Sequence, residues 1–155
     1  MVRIILFDFD GVIINEFDAH YELARKQFRN LTKEEFRRLY EGNVHARMEE
    51  LESRDTGFDM KTRYDEYKKG VVIDPGIKRI IKDLSKDHIL GIVSSAKEGG
   101  IREFLKKNDL DEDFSFVYGY ETSKSKEIKL ERILDKYGVS KGEIVFYYRY
   151  IRRHC

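Results

Sequence analysis

The sequence predicts an α/β fold: a Rossmann-like parallel sheet with helices on both faces, and a small all-helical segment inserted after the first strand. Three observations carry this. Short apolar runs, among them Ile4-Ile5-Leu6-Phe7 and Ile89-Leu90-Gly91-Ile92-Val93, have the length and β-branched content of buried parallel strands. Between the later runs the apolar positions recur every three or four residues, so strands alternate with helices and the crossovers build a parallel sheet. Residues 15–73, by contrast, carry helical patterning only.

The first run ends in Asp8-Phe9-Asp10-Gly11-Val12. Side chains alternate along a strand, so Asp8 and Asp10 are expected on one side and Phe9 on the other. Two carboxylates converging at a strand tip need a cation or a shared proton, and a divalent oxygen-seeking metal is the usual answer. The pattern then changes period. Phe17, Tyr21, Ala24 and Phe28 mark a helix over about Glu16 to Phe28. Thr32 with Glu35 is a capping box that opens a second helix with Phe36 and Leu39, and Gly42-Asn43 breaks it. Further helices are predicted over about His45 to Glu52 and Met60 to Lys69, separated by Thr56-Gly57.

Asp74-Pro75-Gly76 returns the chain to the main layer, and Pro75, the only proline, starts a helix with Ile77, Ile80, Ile81 and Leu84 on one face. The strand Ile89 to Val93 closes in Ser94-Ser95 before a helix carrying Ile101, Phe104 and Leu105. A third strand is predicted over Phe116 to Tyr120. A helix from about Lys126 to Tyr137, with Leu130, Ile133 and Leu134, stops at Gly138, and Glu143 to Tyr147 is the fourth strand.

With 155 residues and 41% hydrophobic content the chain can bury one core plus a small appendage. The 30 Lys and Arg balance 29 acids, so no global field attracts nucleic acid or a membrane surface, and the expected partner is a small molecule. A lone cysteine, Cys155, excludes an internal disulfide framework, and no apolar stretch spans a bilayer. A core strand at the very start leaves no room for a signal peptide, so the expected location is cytoplasmic. High charge (38%) with single glutamine and cysteine residues is a balance seen in proteins of hot-living organisms.

Asp8-Phe9-Asp10-Gly11-Val12 after an apolar strand resembles the first motif of the haloacid dehalogenase superfamily. Asp74-Pro75-Gly76-Ile77 and Leu90-Gly91-Ile92-Val93-Ser94-Ser95 are similar to its phosphoglycolate phosphatase and beta-phosphoglucomutase branch. The likeness runs from about Val2 to Phe146. It implies an α/β core over residues 1–14 and 74–155, with a helical cap over 15–73.

It also implies phosphate-ester chemistry at the carboxyl ends of the strands. Asp8 would attack phosphorus and form an aspartyl phosphate, and Asp10 would pass the proton to the leaving oxygen and later take one from water. The Asp8 carboxylate and the Asp10 carbonyl would hold Mg2+. Ser94, with the Ser95 backbone N–H, stands at the second motif as a phosphate binder. A serine at such a turn is also a common helix N-cap. Lys124, by its distance to Gly138-Val139, resembles the third-motif lysine, with Lys126 as the alternative. A Lys-Ser-Lys stretch is equally a solvated loop. Asn43, His45 and Arg47 fall where caps of this branch face substrate, although Gly42-Asn43 also suits a helix end.

The fourth motif should follow Ile144-Val145-Phe146 with a glycine and metal-holding acids. Instead the chain reads Tyr147-Tyr148-Arg149-Tyr150-Ile151-Arg152-Arg153-His154-Cys155. The expectation is therefore a core that lacks its last strand and helices, a weakly bound metal, and an exposed last strand that could pair in a homodimer. Two origins of the tail are open. It is genuine, or it is a slip of reading frame, since CGA-CGA-CAT for Arg-Arg-His contains GAC-GAC for Asp-Asp one base on. The expected function is a magnesium-dependent phosphatase of a small phosphorylated metabolite. The alternative is a non-catalytic remnant that binds phosphate or a protein.

Overall fold

The computed structural model describes residues 1–39 and 50–148. Strands β1 (Ile4–Phe7), β2 (Ile89–Val93), β3 (Phe116–Tyr118) and β4 (Ile144–Tyr147) form one sheet in the order β3-β2-β1-β4. Every pairing is parallel, with Phe7 opposite Ile92 and Tyr147, and Gly91 opposite Phe116. The inner strand β1 is buried along its whole length, which is why its sequence reads as an unbroken apolar run.

The strand ends move slightly from expectation, for local reasons. β3 stops at Tyr118 because the Tyr120 N–H leaves the ladder to donate to the Ala96 carbonyl at 2.8 Å. β4 begins at Ile144 because Glu143 belongs to a 3-10 turn, Lys141–Glu143, closed by a Ser140/Glu143 capping box.

Six α-helices are described: α1 (Phe17–Gln27), α2 (Lys33–Leu39), α3 (Met60–Gly70), α4 (Pro75–Leu84), α5 (Glu98–Lys107) and α6 (Lys126–Tyr137). The helix expected over about His45 to Glu52 lies mostly outside the described residues, and a 3-10 turn, Glu52–Arg54, follows them. No helix among the described residues is long and apolar enough to cross a membrane.

The chain divides into two compact units, with junctions at Asn15/Glu16 and Val71/Val72. These fall one or two residues inside the boundaries expected from the sequence. The first unit is the sheet with α4, α5 and α6. On one face Ile4, Leu6, Val93 and Phe116 pack with Ile133 of α6 and with Val139. Each such side chain removed from water contributes about 2 kcal/mol. The alternate residues Ile5, Phe7, Leu90 and Ile92 are also buried, as strands covered on both faces require. α4 starts where the sequence says it should, with the Asp74 carboxylate accepting the Gly76 and Ile77 N–H groups and Pro75 in the first turn.

The second unit is helical and has its own core of Ala24, Phe28, Leu31, Phe36, Leu39 and Leu51. Its capping box is formed as read: Glu35 accepts the Thr32 N–H at 2.8 Å, and Thr32 Oγ1 accepts the Glu35 N–H at 3.1 Å. Arg54 also donates to Glu35 at 2.9 Å. The Arg54 hydrogen bond, followed by those from Thr32, holds the Glu35 carboxyl down to about 2. A carboxylate with a lowered folded-state pKa stabilises above its unfolded value, and that contribution disappears as pH falls towards the folded value. Helical-unit stability is therefore expected to be flat above about pH 5 and to fall between about pH 4.5 and 2, with Glu35→Gln removing this part of the pH dependence. Urea unfolding followed by circular dichroism across that range checks it. Parallel curves for both forms would mean that other carboxylates carry the effect.

Candidate active site

The site is built by the loops beyond the carboxyl ends of β1, β2 and β3. β1 ends at Phe7, but its ladder continues one residue, with the Asp8 N–H donating to the Tyr147 carbonyl at 2.8 Å. The chain then turns. Phe9 is buried edge-on against Phe104, and its carbonyl accepts the Ile13 and Ile14 N–H groups. Asp8 and Asp10 flank this anchor and are both partly exposed. Their separation from Phe9 thus comes from a turn after the strand, not from strand alternation alone. Gly11, at φ 80°, supplies the left-handed residue the turn needs.

Asp8 is fixed at both oxygens. Its Oδ1 accepts the Phe9 N–H at 2.9 Å, and its Oδ2 is 2.5 Å from the Lys126 ammonium. The pair is mostly shielded, with the Asp8 side chain 16% exposed, and is therefore more than a solvated surface contact. Lys126 is the first residue of α6, where the helix dipole disfavours a cation. Its ammonium is nonetheless turned to Asp8 and lies over the Phe146 ring, 5.6 Å from the centroid.

Of the two lysines, Lys126 is the one whose ammonium meets Asp8. Lys124, preferred from its distance to Gly138-Val139, is exposed, with its ammonium over the Tyr120 ring. The physical reason is the helix start: Ser125 caps α6 by accepting the Ile128 N–H, so the first helical side chain, Lys126, is the one directed at the strand ends.

Ser94 follows β2 and is 1% exposed. Its N–H donates to the Tyr118 carbonyl at 3.0 Å and its Oγ accepts the Ala96 N–H at 3.1 Å. It does not cap α5, whose N-cap position is Lys97. Ser95 beside it is exposed. The first N–H of α5, on Glu98, is already taken by the Glu121 carboxylate at 2.9 Å, so that group is committed to holding the two loops together.

Glu98 completes the tie by accepting from the Gly119 N–H at 3.0 Å and from Thr122 Oγ1 at 2.5 Å. Burial pushes the Glu98 carboxyl up, but the Thr122 and Gly119 hydrogen bonds and the Arg102 charge outweigh it, leaving its pKa below the usual value. Gly119 is required there, because a Cβ would lie 2.6 Å from the Ala96 carbonyl oxygen.

Sequence reading missed Lys129. It is 0% exposed, and its ammonium donates to the Ser94 carbonyl at 2.5 Å. Burial and the nearby Lys126 charge push its pKa below the usual lysine value, against the opposite pull of Asp8, Glu98 and Glu121. The signal was available: Lys129 lies four residues before buried Ile133, on the same stripe of α6. The cap candidates Asn43, His45 and Arg47 lie outside the described residues.

Among the described residues no three His, Cys, Asp or Glu gather as a metal-binding group. The Asp8 carboxylate with the Asp10 carbonyl still matches magnesium sites that use one carboxylate, with waters and substrate phosphate completing the shell. The donor set therefore fits the ion in a minimal way.

An acid at the end of an inner parallel strand, a serine turn after its neighbour and lysines from the helix that follows β3 define an α/β protein of the crevice-binding class. The chain belongs to the haloacid dehalogenase-like hydrolase family, whose sequence profile it matches over residues 5–147.

Solved structures share the fold. A predicted phosphoglycolate phosphatase from Haemophilus somnus superposes with a TM-score of 0.72 at 16% identity, covering 94% of this chain and 76% of that one. A beta-phosphoglucomutase from Clostridium difficile gives 0.70 at 20% identity, covering 94% and 75%. CbbY from Rhodobacter sphaeroides, solved with xylulose-(1,5)bisphosphate, gives 0.69 at 14% identity, covering 94% and 77%. No curated protein matches the chain by sequence.

Proposed function

We propose that the chain hydrolyses a small phosphomonoester through an aspartyl phosphate on Asp8. The observation that carries this is the 2.5 Å contact between Asp8 and Lys126 at the sheet's carboxyl end, next to the Ser94 turn. A carboxylate held by an ammonium in a partly shielded pocket is restrained for attack, and the same ammonium balances the phosphoryl oxygens as charge moves onto them.

One carboxylate oxygen of Asp8 bonds to phosphorus while the bond to the ester oxygen breaks. Asp10 gives that oxygen its proton. A water, deprotonated by Asp10, then attacks phosphorus, which frees Asp8 and inorganic phosphate. The Ser94 hydroxyl and the Ser95 N–H donate to the non-bridging oxygens throughout. Magnesium, held by Asp8 and Asp10, would supply further positive charge to the phosphoryl group.

The competing reading, a domain that binds phosphate without turnover, is favoured by the sparse set of acids around Asp8 among the described residues and by the Lys126 ammonium on its Oδ2, where a catalytic site would put a metal. Phosphate release from phosphoglycolate, β-glucose 1-phosphate and p-nitrophenyl phosphate, with magnesium and with chelator, separates the two. The expected result is release, together with a hydroxylamine-labile phosphoryl label on the protein in rapid-quench samples. Phosphate binding with neither release nor label would establish the competing reading.

A further inference from the structure

Lysine is almost never fully buried without a charged partner, because desolvating the ammonium is costly. Lys129 breaks this pattern: it is 0% exposed, forms no ion pair within 4.0 Å among the described residues, and donates to a neutral carbonyl, that of Ser94. An apolar side chain of similar length would fill the same space without the desolvation cost. The position of this carbonyl supplies a reason for the lysine.

The Ser94 carbonyl and the Ser95 N–H belong to one peptide unit. In a trans peptide they point in opposite directions, and no peptide bond among the described residues is cis. Drawing the Ser94 oxygen inward to Lys129 therefore turns the Ser95 N–H away from the core. Ser95 is exposed, and among the described residues its N–H has no protein partner. The same residue is pinned twice more, through the Ser94 N–H on Tyr118 and Ser94 Oγ on Ala96. With three attachments the peptide has one orientation.

We infer that Lys129 is a positioning residue of the phosphate pocket, which locks the Ser94–Ser95 peptide so that the Ser95 N–H faces a phosphoryl oxygen, and adds a second fixed positive charge behind it. The inference rests on the phosphate-ester reading for the identity of the anion. Lys126 and Lys129, one turn apart on α6, then divide the work: the first holds the attacking acid and the second holds the donor turn.

The test compares wild type with Lys129→Met, which removes donor and charge, and Lys129→Gln, which keeps a donor for the Ser94 carbonyl. Inorganic phosphate is the probe, with its affinity measured by calorimetry and the Ser95 amide followed by NMR. Lys129→Met is expected to weaken phosphate binding at least about tenfold and kcat/KM about 10²-fold, the scale for losing one oriented donor. Its melting temperature should equal or exceed that of wild type, and its Ser95 amide should no longer shift with phosphate. Lys129→Gln should recover the amide shift and most of kcat.

Unchanged phosphate affinity in Lys129→Met, or a Ser95 amide that still follows phosphate in that variant, overturns the inference. Because phosphate binds without turnover, these readouts are independent of catalysis. A wild type that binds phosphate but releases none from esters defeats the phosphatase reading and leaves this one standing. A wild type that binds no phosphate defeats both.

Discussion

Asp8→Asn is expected to lower phosphate release by about 10⁴-fold or more, equivalent to about 5.5 kcal/mol of transition-state stabilisation. The amide has the size of the carboxylate and can still accept the Phe9 N–H now bonded to Oδ1. What disappears is the anionic nucleophile and the partner of Lys126. Lys126 is itself partly exposed, so water can replace the lost carboxylate, and the loss of stability should be only about 1 kcal/mol. For a chain of this size that is a shift of a few degrees in Tm. A large loss of activity with a nearly unchanged melt assigns the effect to chemistry. Equal release from both forms would remove Asp8 as the nucleophile.

Gly91→Ala is expected to destabilise the first unit by about 3 kcal/mol, the upper part of the usual range for overpacking a core. The sign is informative, because replacing glycine in a strand ordinarily stabilises through the unfolded chain. Here the added Cβ would lie 2.2 Å from two ring carbons of Phe116 on the paired strand β3. That ring is 5% exposed and packs against Tyr118 and Tyr137, so it has little room to move. A Tm about 10 °C below wild type should result. Shortening the ring with Phe116→Leu should make the double variant less destabilised than the sum of the single changes. Strict additivity, or a stabilised Gly91→Ala, would show that the sheet relaxes at this point.

Local chemistry was legible wherever it acts within a few residues. The Thr32/Glu35 box, the Asp74-Pro75 helix start, the span of α6 and the unbroken apolar β1 all follow from neighbours one to four positions apart, and all are formed as read. So too was the αL stop at Gly138, with φ 58°. Contacts between residues distant in sequence were not legible in this way. Counting residues back from Gly138 favours Lys124 with Lys126 as the alternative, and the contact of the Lys126 ammonium with Asp8 spans 118 positions of sequence. The i, i+4 spacing of Lys129 and Ile133 is a local sign that the lysine lies on the buried stripe, but the carbonyl it meets is 35 positions away and no neighbour in sequence names it.

The sequence by itself therefore determined the parallel α/β class, the helical insert and the acids at the first strand's end, since periodicity, capping and motif are properties of contiguous residues. Only the tertiary structure decided the strand order β3-β2-β1-β4, the contact of Lys126 with Asp8 and the burial of Lys129. Those depend on which loops meet beyond the sheet, and that meeting is governed by long-range packing that no short stretch of chain encodes.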